Sequence, residues 1–340
     1  DCSKLNDSSA KKNLSVVYTP LFGSGRDFVL DALEKDGFSQ VHLVKKQAGF
    51  DGKFPGLRKP NPEEPEVFRI AEREALQEHA DLMIATDPDS DRIGAGVICD
   101  SKAFFFTGNQ IGALLADFLS RQGSVKGKIM VTTVVTGDLG SRIVTSRGAT
   151  VIHTLTGSKF VCEEMNHMEA GEFLLGYEES HGYIGGMHIR DKDGVLAAML
   201  LCETAAWHKT QGKTLLDALE DLYQKYGYYI DEQDSFVFEG AKGAKEMQKI
   251  MARLRSRRGS VFAPLGKPDK ILDYEKGVDE LPRSNVLKFF FPNGSWVAVR
   301  PSGTEPKIKF YYCIRGKDQR QTQDLYEAVQ TSVEEFLRTF

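Results

Sequence analysis

Asp87, Asp89 and Asp91 stand at every second position of the segment 86–92, which reads T-D-P-D-S-D-R. In an extended loop, carboxylates spaced this way can converge on one point. Unaided convergence costs on the order of several kcal/mol in repulsion. A hard divalent cation such as Mg²⁺ or Ca²⁺ relieves that cost, because carboxylate oxygens are the ligands these ions prefer. The other reading of a bare D-x-D-x-D is an acidic surface turn. A Ca²⁺-binding EF-hand would require Gly at the sixth position of the loop and Glu at the twelfth. Arg92 and Ile98 occupy those positions, and the flanks, 81–85 and 93–98, are short apolar runs that read as strands rather than amphipathic helices. A triple-Asp loop between two buried strands and closed by an arginine suits a metal and a phosphate.

The elements that must position this loop alternate in type. Residues 14–19 read as a buried strand and run into P-L-F-G-S-G-R at 20–26, a turn opening a helix that extends to about residue 35. That order fits either a phosphate loop at a helix N-terminus or a structural turn; it matches neither G-x-G-x-x-G nor a Walker A sequence. A second strand at 41–45, a helix over 64–78 capped near Asn61, and a third strand at 81–85 imply a mostly parallel sheet, with the Asp loop at a strand's carboxyl end. Helices at 108–122, 138–147, 194–207 and 215–226 alternate with strands at 128–135, 149–153 and 173–176. After Gly227 the pattern changes to strands at 235–239, 270–274, 286–291, 295–299 and 307–314 with helices at 244–255 and 319–336. The expected architecture is therefore two consecutive α/β domains with mixed, mostly parallel sheets, residues 1–105 and 106–229, followed by an α+β domain at 230–340.

Composition sets outer limits. A chain of 340 residues suggests two or three domains and buries roughly three quarters of its unfolded surface. Lys plus Arg (44) nearly balance Asp plus Glu (48), and the net charge of −4 argues against a general nucleic-acid binder. Five scattered cysteines without a C-x-x-C pair fit reduced thiols in the cytoplasm. The longest apolar run, 195–207, is too short and interrupted to span a bilayer, and no secretory signal opens the chain. The polar start at Asp1, without Met, suggests a chain that begins inside a longer one.

Two further segments carry chemistry. Arg300-Pro301-Ser302-Gly303-Thr304-Glu305-Pro306 separates two strands: Arg300 offers a fork for phosphate oxygens, Ser302 and Thr304 offer hydroxyls, and Gly303 admits backbone N–H groups to an anion, with Lys309 on the next strand. The string L-G-Y-E-E-S-H-G at 175–182 sets Glu178 and Ser180 two apart at a strand end, where a carboxylate can accept from two vicinal sugar hydroxyls.

Taken together, D-P-D-S-D-R, G-Y-E-E-S-H-G and R-P-S-G-T-E-P, in this order, resemble the metal, sugar and phosphate loops of the α-D-phosphohexomutase superfamily, phosphoglucomutases and phosphomannomutases, most closely the bacterial phosphoglucomutase type. T-G-S-K-F at 156–160 and R-D-K-D-G at 190–194 are similar to two further family segments, and the resemblance covers essentially the whole chain. It implies the second, third and fourth of the family's four domains. The first domain, with the catalytic serine of a T-A-S-H-N-P-like loop, has no counterpart here; Ser180-His181 sits in the sugar loop and is not that nucleophile.

The resemblance also implies roles. Asp87, Asp89 and Asp91 would hold Mg²⁺, and Arg92 would help stabilise charge in phosphoryl transfer. Lys159 is a candidate for phosphate contact or proton transfer. Glu178, Ser180, Arg190 and Lys192 would bind the sugar phosphate, while Arg300, Ser302, Gly303, Thr304 and Lys309 would grip the phosphate that is not reacting. The implied partners are hexose phosphates and hexose 1,6-bisphosphate, with no nucleic acid or membrane. The implied reaction interconverts hexose 1- and 6-phosphates, and the metal is expected to bind weakly in this chain alone. Mannose or pentose phosphates, and a non-catalytic sugar-phosphate or metal binder, remain alternatives. A phosphatase of the D-x-D-x-T kind does not fit, because Asp91 stands where Thr is required.

Overall fold

The computed structural model of the chain describes residues 2–169, 171–302 and 306–340. It divides into two compact units, Asp1–Asp221 and Leu222–Phe340. The first unit begins with a short helix, α1 (Ser8–Asn13), whose N-cap Asp7 accepts the N–H groups of Ser9 and Ala10. It was not expected from the polar sequence. The first sheet and its helices follow as β1 (Ser15–Thr19), α2 (Gly25–Asp36), β2 (Gln40–Leu43), α3 (Arg69–Glu78), β3 (Leu82–Thr86), β4 (Ile93–Cys99) and β5 (Lys102–Phe106). The strand order is β2-β1-β3-β4-β5. Every residue of β1 and β3 is buried, as strands covered on both faces should be.

This sheet is less parallel than expected. β1 runs parallel to β2 and β3, but the β3–β4 and β4–β5 pairs are antiparallel. The reason is loop length: only residues 87–92 join β3 to β4, and a parallel return needs a crossover of a dozen or more residues. The helix expected over 64–78 is also divided. Pro65 opens a 3₁₀ turn, Pro65–Phe68, and the α-helix starts at Arg69. Asn61 does not cap it; its side chain accepts the N–H of Glu63, closing a local turn.

The second sheet is built from β6 (Ile129–Thr133), β7 (Thr150–Thr154), β8 (Phe173–Glu178) and β9 (Gly182–Ile184), with helices α4 (Gly108–Leu119), α5 (Asp138–Ser146), α6 (Ser158–Met165), α7 (Gly194–Lys209) and α8 (Leu215–Tyr226). Its order is β7-β6-β8-β9, parallel except for the terminal β8–β9 hairpin. Thr107 and Gln110 form a reciprocal capping box at the start of α4. α7 is buried nearly all round, because helices of both α/β layers pack on it. Its Glu203 is fully buried and accepts from the Ser3 hydroxyl at 2.7 Å and from the N–H groups of Lys4 and Leu5 at 3.0 Å. Lys11 bridges Glu203 (2.9 Å) and Asp36 (2.7 Å). These bonds tie the start of the chain, α1 and α2 to one helix, so the two α/β layers share a frame.

The second unit is a single antiparallel sheet, ordered β10-β14-β13-β12-β11, formed by β10 (Tyr228–Val237), β11 (Lys270–Asp273), β12 (Leu287–Phe290), β13 (Trp296–Pro301) and β14 (Lys307–Gly316). α9 (Gly240–Arg257) and α10 (Gln319–Leu337) cover a core that includes Phe262, Phe289 and Phe310. β10 starts well before residue 235 because it pairs with β14 along its full length of ten residues. Among the described residues no helix is long and apolar enough to cross a membrane.

His208, near the end of α7, is buried, and neither ring nitrogen has a hydrogen-bond partner. Burial lowers its pKa from 6.5 to about 4. The unfolded chain therefore takes up the proton first on acidification, and the stability this group confers is lost as pH falls from about 6.5 towards 4. Replacing it by an apolar side chain, His208→Leu, should remove on the order of 2 kcal/mol of that pH dependence. Urea unfolding of both proteins between pH 4.5 and 7 checks this; parallel stability curves would contradict it.

Candidate metal and sugar-phosphate site

In the first unit the three aspartates converge: ligand oxygens of Asp87, Asp89 and Asp91 all lie within 4.8 Å of one another. The loop that carries them is a tight turn. The Ser90 N–H donates to the Asp87 carbonyl at 3.0 Å, with Ser90 at φ +61°, and the Arg92 N–H donates to Asp87 Oδ1 at 3.0 Å. Asp87 is buried, Asp91 half-buried and Asp89 exposed. Burial first, and then the charges of Asp91 and Asp89, push the Asp87 carboxyl up to about 7, against the pull of the Arg92 N–H bond. A hard divalent cation fits this donor set: it would neutralise the charge that raises Asp87, and carboxylate oxygens are its preferred ligands.

Two neighbours fix the turn from below. The loop between β1 and α2, read from sequence as either a phosphate loop or a turn, is a support: the Ser24 N–H donates to the Pro88 carbonyl at 2.8 Å. Gly23 is required there, because a Cβ on it would lie 2.3 Å from Pro88 Cα. The hydroxyls of Tyr18 and Thr86 are 2.9 Å apart across the strand ends beneath the loop.

The second α/β layer fixes the turn from the side. The sugar segment is the β8–β9 hairpin, with Glu178 closing β8 and Ser180 in the turn. His181 occupies the left-handed position of that turn (φ +64°). Its ring Nδ1 donates to the Ile93 carbonyl at 3.0 Å while its own carbonyl accepts the Ile93 N–H at 3.1 Å. This pair of bonds holds a non-glycine residue in a costly conformation. Burial lowers the His181 pKa, which keeps the ring neutral. A further bridge joins Arg92 to Gly182, and the Gly194 N–H donates to the Ser90 carbonyl at 2.9 Å.

Charged groups from the two layers meet at this seam. The Lys192 ammonium pairs with Asp91. Arg92 Nε lies 3.7 Å from Asp91 Oδ1 and 3.9 Å from Asp87 Oδ2, and its Nη1 donates to Glu63 at 2.6 Å. Glu178 is buried and its pKa is raised, by burial first; the Gly157 N–H donates to it at 2.8 Å, and the charges of Lys192 and Arg92 also lower it. That bond draws the T-G-S-K segment to the sugar hairpin. Lys159 itself is exposed on the first turn of α6, with its ammonium 4.8 Å from the Phe160 ring centroid. Arg190 is exposed and bonds Asn166 and Met187 rather than the acidic trio. Asp193 caps α7, accepting from the Val195 and Leu196 N–H groups at 3.0 Å; an Asp before an apolar run was the available signal. Glu63 and the Lys192–Asp91 pair had no sequence signal, since both join distant segments.

The phosphate segment lies in the second unit, between β13 and β14. Arg300 and Lys309 are cross-strand partners on the same face. The Ser302 N–H donates to the Lys307 carbonyl at 2.8 Å, and Lys309 Nζ to Gln233 at 3.1 Å. Gly303 and Thr304 lie outside the described residues.

Gly23→Ala should force Pro88 upward and cost about 1–3 kcal/mol of stability together with a loss of divalent-ion affinity. Urea unfolding and Mn²⁺ titration check both. An unchanged midpoint with unchanged affinity would show that the two loops are not coupled.

The chain matches the descriptions "Phosphoglucomutase/phosphomannomutase, alpha/beta/alpha domain II" over residues 2–99, "alpha/beta/alpha domain III" over 107–226, and "C-terminal domain" over 237–331. It is 35% identical over 334 residues to a phosphoglucomutase of Staphylococcus haemolyticus strain JCSC1435, covering 94% of this chain and 61% of the relative. A phosphoglucomutase of Staphylococcus aureus strain RF122 is 36% identical over 320 residues, covering 90% and 57%. The chain thus spans about three fifths of these relatives. In fold it is similar to the crystal structure of Paramecium pp63/parafusin, described as a phosphoglucomutase, with a TM-score of 0.73 at 22% identity over 98% of this chain and 60% of that one. A phosphoglucomutase/phosphomannomutase family protein of Burkholderia thailandensis gives 0.68 at 16% identity over 95% and 60%. With three consecutive domain matches of one family and its three loops in order, the chain belongs to the α-D-phosphohexomutase superfamily.

Proposed function

We propose that residues 1–340 form the metal-, sugar- and distal-phosphate-binding part of a cytoplasmic phosphohexomutase that interconverts hexose 1-phosphate and hexose 6-phosphate, with glucose the first substrate. In that reaction a phosphoserine outside this segment donates to one end of the sugar, and the bisphosphate so formed returns its other phosphoryl group. The observation that carries the reading is the gathering of three carboxylates, Arg92 and the sugar-hairpin Glu178 at one seam of the first unit. The relatives' name, phosphoglucomutase, supports the choice of sugar.

Mg²⁺ held by Asp87, Asp89 and Asp91 would supply positive charge against the phosphoryl group in transfer. The chain's own residues do the rest. The Arg92 guanidinium is placed to share in charge stabilisation. Glu178, oriented by the Gly157 N–H, accepts from adjacent sugar hydroxyls, with Ser180 beside it. Arg190 and Lys192 bind the sugar phosphate, and Lys159 is the phosphate contact or proton carrier on that side. Arg300, Ser302, Gly303, Thr304 and Lys309 hold the phosphate that is not reacting, so that its binding energy orients the other end.

Binding and turnover test different halves of this reading. With Mg²⁺ present, glucose 1,6-bisphosphate should bind residues 1–340, and Arg300→Ala should weaken it about 10- to 100-fold, as for a lost charged hydrogen bond. Titration calorimetry measures this. The same polypeptide should not convert glucose 1-phosphate; conversion above an Asp87→Ala control would overturn the phosphoserine route. In a form carrying the serine domain, kcat/KM should be highest for glucose 1-phosphate among glucose, mannose, glucosamine and pentose phosphates. A best substrate of another class would replace the sugar but not the reaction.

A further inference from the structure

We infer that Glu63 is a positioning residue: it holds the Arg92 guanidinium off the aspartate trio and so sets the trio's affinity for a divalent cation. The inference rests on the metal reading given above. Arg92 follows Asp91 directly, and its main chain is pinned because its N–H is bonded to Asp87 Oδ1. The side chain then stands within reach of the same oxygens a cation would use, with Nε 3.7 Å from Asp91 Oδ1 and 3.9 Å from Asp87 Oδ2. A guanidinium is a planar donor fork that pairs with carboxylates two bonds at a time. Left alone, it would close onto Asp87 and Asp91 and compete with a metal ion.

Glu63 opposes that closure. Its Oε1 accepts Arg92 Nη1 at 2.6 Å, which commits the far end of the fork elsewhere and leaves only the Nε edge near the trio. The segment that presents Glu63 is anchored. The Glu63 N–H is bonded to the Asn61 side chain at 3.1 Å and the Glu64 N–H to the Asn61 carbonyl at 3.0 Å. Pro62 packs on β4 one residue beyond Ile93: a Cβ on Gly94 would lie 2.5 Å from the Pro62 carbonyl oxygen and 2.8 Å from its Cβ. Glu63 is therefore registered on the strand that leaves the metal loop. Both partners are about one-third exposed (33% and 34%), and an ion pair so exposed adds little to stability. Orientation of Arg92 is the effect such a pair can have.

A double-mutant cycle on residues 1–340, read by Mn²⁺ binding in electron paramagnetic resonance titrations, tests this. Glu63→Gln should weaken Mn²⁺ binding about tenfold, in the range seen when partners that orient a metal's surroundings are removed. In an Arg92→Met background the same substitution should change it by less than about twofold, because Glu63 acts through Arg92. An equal loss in both backgrounds would mean a simple charge or structural effect, and no loss in the Arg92 background of the wild type would mean no effect; either result overturns the inference. If Mn²⁺ binding is absent, or is not weakened by Asp87→Asn, the metal reading fails and this inference with it.

Discussion

Three carboxylates held within 4.8 Å of one another, one of them buried, are the constraint on which the first unit is built. At an effective dielectric of about 20, each such pair of charges repels by about 3 kcal/mol, less where Asp89 meets solvent. Within the turn, the Arg92 N–H and the near edge of its guanidinium offset part of this. The surrounding structure supplies rigidity instead: the Gly23–Ser24 loop presses on Pro88, His181 bonds both polar groups of Ile93, and the Gly194 N–H takes the Ser90 carbonyl. Cations approach the trio from two directions, Lys192 from the second layer and Arg92 from the loop itself. The repulsion is thus contained by backbone bonds and only partly offset by these two cations, an arrangement that a divalent ion can complete.

The same bonds hold the segment read as sugar-binding beside the aspartate turn. The β8–β9 hairpin both presents Glu178 and braces β4, so a displacement of the sugar segment must disturb the metal turn. The frame beneath is the shared helix α7, whose buried Glu203 collects the chain's first residues and whose N-cap, Asp193, belongs to the R-D-K-D-G segment. In that segment Asp193 starts the helix, Gly194 holds Ser90, and Lys192 faces Asp91, so one motif serves cap, brace and counter-charge.

The motifs were legible because each combines residue types with a sequence setting: alternating aspartates after an apolar strand, an acid and a hydroxyl at a strand end, an Arg-Pro-Ser-Gly-Thr string between two strand-like runs. The alternation of strands and helices was equally clear, since periodicity is a local property. What was not legible depends on partners far away in sequence. β4 and β5 return antiparallel because their loops are short, a topological fact with no signature in the strands themselves. α1 is a short polar helix carried by its Asp7 cap and by Lys11 rather than by an apolar stripe. The bonds of Glu63 to Arg92 and of His181 to Ile93 join residues that share no pattern.

On this account the trio destabilises the chain when empty and stabilises it when a cation is bound. Thermal unfolding of residues 1–340, wild type and Asp89→Asn, with and without Mg²⁺, measures it most directly. Without metal the variant should melt higher than the wild type, because one repelling charge is gone. With Mg²⁺ at ten times its Kd, mass action should stabilise the wild type by about 1.4 kcal/mol, a rise of a few degrees, and leave the variant nearly unmoved. A variant that melts lower without metal and still gains from Mg²⁺ would contradict the account.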